Sequence, residues 1–128
     1  MITLLTTRQD IEAMDRFFFR YVEHLKETNL VNVAHHPVHS AEYLSVLAIN
    51  CIIAELQNLI DKKLLNTSAP SQKIKLSDAQ AVVFYKLLLA LPLPKESYYL
   101  HKLRNDLIEQ LDGQLILRNI YAQAVNKG

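Results

Sequence analysis

Residues 40–65 read SAEYLSVLAINCIIAELQNLIDKKLL, and from Tyr43 to Ala54 no side chain carries a charge. Projected at about 100° per residue, Leu44, Ala48, Ile52 and Leu56 fall on one side. Tyr43, Val46, Leu47, Ile49 and Ile53 fill the others. A helix apolar all round has to be buried all round, so the rest of the chain is expected to cover it. That reading sets the expected fold class: all-α, an antiparallel bundle of four to five helices with this second helix as its buried centre.

Working outward, the first helix is expected to open after Thr6 or Thr7, either of which can cap it, with Asp10 and Glu12 in its first turn. Its apolar stripe holds Ile11, Met14, Phe18, Tyr21, Val22 and Leu25, with Phe17 at the margin. Glu12, Arg16, Arg20, Glu23 and Glu27 form the opposite, solvated face. Phe19 projects among these charges, which suggests a contact residue. Residues 28–39 connect to the central helix, and Pro37 interrupts any helix there.

After the central helix, residues 66–76 (NTSAPSQKIKL) read as loop. Ser77-Asp78-Ala79-Gln80 is a capping box. It opens a third helix that is apolar nearly all round from Val82 to Leu91, with Lys86 the one interior charge. Pro92-Leu93-Pro94 ends it and makes the fourth helix, expected from about Lys95, its close neighbour. Gly113 is either the stop of that helix or a point it crosses, and a short strand at 114–118 is the alternative beyond it.

Composition narrows the class of function. A chain of 128 residues with half its residues hydrophobic and a fifth charged fits one globular domain over residues 1–128. Two glycines leave few positive-φ positions for hairpins. The net charge of +1 conceals four Lys/Arg against eight Asp/Glu in residues 1–61 and ten against five in 62–128. Such a split can signal an acidic-binding surface, but oppositely charged sets of helices attracting one another within one bundle are the favoured reading. The single cysteine, Cys51, is read as a small buried hydrophobe. The N-terminus lacks a basic start and sustained apolar run, and Asn50, Glu55, Gln57 and Asn58 interrupt the central helix. A cytoplasmic protein without membrane association is therefore expected.

Three functional readings follow. Two helices apolar on most sides exceed what two one-striped helices can cover, so self-association as a homodimer is expected. Its interface is placed on Phe84, Leu88 and Leu91, and secondarily on Phe19 or Tyr98. This makes the chain a non-catalytic binding or scaffold protein, with room for an unidentified protein partner. The second reading is a metal-binding enzyme or sensor using His35, His36 and His39, since imidazoles are the commonest metal ligands. Pro37 between them, and the absence of any established ligand spacing, weigh against it. The third is a nucleic-acid-binding regulator using the basic patch Lys62, Lys63, Lys73 and Lys75, with modest phosphate affinity at so low a net charge. No nucleophile elbow, phosphate-binding glycine loop or dinucleotide fingerprint is present, and no cofactor is implied. Glu55, the one charge in mid-helix, fits the least covered line of that helix better than an acid–base role.

Overall fold

The structure, a computed structural model, describes residues 1–20, 41–66 and 70–127. In chain order the elements are β1 (Ile2–Thr7), α1 (Arg8–Ala13) running into a π-helical turn (Met14–Phe18), α2 (Ala41–Asn66), β2 (Ser71–Leu76), α3 (Asp78–Ala90) and α4 (Tyr98–Lys127). The described residues are 75% helical, but β1 and β2 pair as a small antiparallel sheet, which corrects the all-α expectation to a mixed α/β fold.

The physical reason is a period of two in both segments. In β2, Gln72, Ile74 and Leu76 are buried while Ser71, Lys73 and Lys75 are exposed. In β1, Ile2, Leu4 and Thr6 are buried. The Arg8 N–H donates to the Pro70 carbonyl (3.2 Å) and the Thr6 hydroxyl to the Gln72 carbonyl (3.1 Å). Continued along the strands, this register sets Leu4 opposite Ile74 and Ile2 opposite Leu76, so that both buried rows share a face. Each strand is six residues long and buries only two large apolar side chains, which gives 66–76 the look of a loop in sequence.

The chain divides into two compact units. One comprises Met1–Leu4 and Lys73–Gly128. Within it α3 packs on α4. Its core holds Ile2, Leu4, Ile74, Leu76, Ala81, Phe84, Leu88 and Leu91, with Leu100, Leu103, Leu107 and Leu111 from α4. The last four recur at three- and four-residue steps, the stripe that a half-buried helix needs. Ser77 caps α3 as the sequence indicates, its Oγ accepting from the Gln80 N–H while Gln80 Oε1 accepts from the Ser77 N–H. Ser97 caps α4, accepting from the Leu100 N–H, so this helix starts three residues later than the proline suggested. It continues through Gly113, where no other atom crowds the Cα, and residues 114–118 are helix.

The edge of β1 is closed by a side chain. The Thr3 N–H donates to Gln114 Oε1 (3.0 Å), and Gln114 Nε2 donates to the Thr3 carbonyl (2.9 Å) and to the Gln110 carbonyl (3.1 Å). The amide thus occupies the place of a neighbouring strand, satisfying backbone groups that an open edge would leave bare.

The other unit comprises Leu5–Gln72, with α1 and the π-turn packed on α2. Thr7 caps α1 through a capping box with Asp10. One turn later the helix widens, and the Phe19 N–H bonds to the Met14 carbonyl five residues back. That extra residue turns everything after it back by about 100°. Phe19, placed among charges by an unbroken helical projection, is instead 2% exposed, while Phe17 is 46% exposed. Arg8 also reaches back, its guanidinium donating to the Leu64 carbonyl (3.3 Å) near the C-terminal end of α2, where a cation complements the helix dipole.

Candidate functional site

The central helix is where expectation and structure part most widely. Among the described side chains of α2 only Ile53, Leu56 and Ile60 are buried, and of the apolar segment Leu44–Leu65 no more than 17% is buried. It is therefore not the buried axis of a bundle. These three residues lie within about 60° of one another on the helix, facing α1 and the π-turn.

Opposite that face runs a line of exposed positions: Leu44, Ala48, Cys51, Glu55, Asn58, Lys62 and Leu65. They alternate by four and three residues, the spacing of a seam between two helices. Leu44 is 53% and Leu65 83% exposed, and Leu47 flanks the line, also exposed. The upper half of the line is apolar and the lower half mostly polar. Cys51 belongs to this line and is exposed, which corrects its reading as a buried hydrophobe. Glu55 lies on it too, on the least covered side of the helix. On the flank, Asn50 Oδ1 is buried and accepts no hydrogen bond among the described residues.

Of the residues expected at an interface, Phe84, Leu88 and Leu91 are core residues of their own unit and Phe19 of the other. The reason is that α4 packs on α3, and the residues expected to be bare share one core with buried residues of α4 and the strands. The exposed apolar residues of α3 are Val82 and Leu89 instead. Tyr98 is 79% exposed, at the first turn of α4.

The metal reading rests on His35, His36 and His39, which lie outside the described residues. Among the described residues no group of three His, Cys, Asp or Glu side chains could hold a metal ion. The basic patch divides between the two units, Lys62 and Lys63 in one, Lys73 and Lys75 in the other. Lys73 and Lys75 project from the exposed face of β2.

At the α3–α4 contact the Tyr85 hydroxyl donates to Asp112 Oδ1 (3.3 Å). The Asp112 charge, aided by desolvation and by that hydrogen bond, holds the phenol above its ordinary value of 10.0. This pair ties two helices together.

No protein-family model matches the chain, and no curated protein or solved structure is similar to it.

Proposed function

We propose that this chain is a non-catalytic binding or scaffold protein that works through helix surfaces and self-associates through α2. The observation that carries this reading is the exposed line from Leu44 to Leu65 with its apolar upper half. Covering the exposed part of a leucine side chain such as Leu44 contributes about 1 kcal/mol. Leu44 and Leu47 together therefore supply a meaningful share of a dimer's association energy. The alternating three- and four-residue spacing supports a second helix as the occupant.

By length and composition Leu44–Leu65 is also apolar enough to cross a membrane. Glu55 stands at the middle of that segment, where a charge costs about 2.5–3.5 kcal/mol. Asp61, Lys62 and Lys63 follow before its end. Pairing with a second protein helix accommodates these polar side chains at lower cost, with water at the rim.

Sedimentation velocity at micromolar concentration tests the reading. The expected species has twice the 14.7 kDa chain mass. Replacing Leu44 and Leu47 together by Glu should return it to the monomer without changing the far-ultraviolet circular dichroism. A monomer in the unaltered protein across the micromolar range sinks the proposal.

A further inference from the structure

A second feature of the Leu5–Gln72 unit lies away from the exposed line of α2. Asp15, Arg16, Phe19, Arg20 and Gln57 line a cleft of about 400 Å3 between the π-turn and α2. This is within the size range of small-ligand sites. Its floor is the buried ring of Phe19, and both arginines are exposed at its rim.

Three observations point to an anionic occupant. First, Arg16 and Arg20 stand four residues apart on one helical face, an arrangement of like charges that opposes helix formation unless something neutralises it. Among the described residues no carboxylate pairs with either guanidinium, although Arg8 on the same helix is paired to Glu12 at 3.3 Å. Second, the cleft is built on the π-turn, a rare backbone form frequent at functional sites. Here it has a visible consequence, since it turns Phe19 inward to make the floor. Third, the donors suit one chemistry. Two guanidinium forks and the Gln57 amide offer more N–H groups than one carboxylate can accept, and they match a tetrahedral group of three terminal oxygens. Asp15 on the same rim opposes a bare dianion and favours a ligand that brings a hydroxyl or amine donor beside its anionic group.

We propose that this cleft binds a small phosphate monoester carrying an adjacent hydroxyl or amine, its phosphoryl oxygens held by Arg16, Arg20 and Gln57. The test is calorimetric and NMR titration of the full chain with glycerol 3-phosphate at low salt, with inorganic phosphate and succinate in parallel. Saturable binding of glycerol 3-phosphate is expected, tighter than inorganic phosphate or succinate, with shifts at the side-chain resonances of Arg16, Arg20 and Gln57. Arg20→Ala should weaken it about tenfold, the loss of one charge-assisted fork. Arg16→Lys, which keeps the charge and loses the fork, should weaken it too. Lys102→Ala, an exposed cation of the other unit, should leave it unchanged. If Arg20→Ala does not fold, Arg20→Lys takes its place. The proposal is overturned by the absence of saturable binding, by equal binding of succinate, or by Arg20 and Lys102 variants that weaken it alike.

Discussion

Replacing Gln114 by Ala should destabilise the unit that contains it through the loss of one side chain's grip on a strand edge. In the wild type Gln114 accepts from the Thr3 N–H and donates to the Thr3 carbonyl, at 3.0 and 2.9 Å. A net hydrogen bond contributes about 0.5–1.5 kcal/mol, so losing both costs about 1–3 kcal/mol. The site is half-buried, and water can replace part of what is lost. Alanine also returns a few tenths of a kcal/mol of helix propensity. The expected loss is therefore about 1–2 kcal/mol, which for a chain of this length lowers Tm by roughly 4–8 °C. Urea unfolding should show a lower midpoint at unchanged slope. Hydrogen exchange at the Thr3 amide should accelerate selectively, since that N–H loses its acceptor. Gln114→Glu sharpens the test: it keeps the acceptor but sets a carboxylate against the Thr3 carbonyl, and should be at least as destabilising at neutral pH. A Gln114→Ala variant within about 0.3 kcal/mol of wild type, below the usual worth of one hydrogen bond, with Thr3 protection unaltered, would refute the role of the amide as a substitute strand.

The π-turn can be checked by the order of two truncations. Phe19→Ala should cost about 3–5 kcal/mol as a core deletion, and Phe17→Ala about 1 kcal/mol as a half-exposed one; an unbroken α-helix would bring the two costs together or reverse them in thermal denaturation. The Tyr85 phenol should titrate above 10.0 in absorbance at 295 nm, identified by its loss in Tyr85→Phe, and Asp112→Asn should bring it back toward 10.0. Because the folded state holds that proton more tightly, the associated stability is present below pH 10 and is lost as pH rises through the raised folded value.

Much of this protein is legible in its residue order because much of it is local. The capping box at Ser77 lies within four residues of chain and forms where the side-chain chemistry places it, and of the two threonines able to cap α1 it is Thr7 that does so. The pairing of α3 with α4 is legible too, since only seven residues, two of them prolines, join the two helices. The helical bulk of the chain is legible for the same reason. The two strands are not, since each is six residues long and pairs with the other, more than sixty positions away. Period-two alternation in SQKIKL is a signal, yet a weak one beside serine, proline and lysine. Gln114 carries no local mark at all: its meaning is the distance to Thr3. The first helix shows the same division in miniature. Its stripe of Ile11, Met14 and Phe18 follows from helical spacing, whereas the extra residue in the π-turn is set by which of three consecutive phenylalanines fits against α2. That choice moves Phe19 inward and makes Arg16 and Arg20 the rim of a cleft, where spacing alone made them a solvated face. For α2, hydropathy identified a helix with too much apolar surface, but not which side is covered. Coverage depends on the shapes of the elements brought against it, and here they cover Ile53, Leu56 and Ile60 and leave the line from Leu44 to Leu65 open. Propensity, capping and periodicity act over a few residues and are readable one after another; burial is a property of pairs of surfaces, and only the assembled fold decides it.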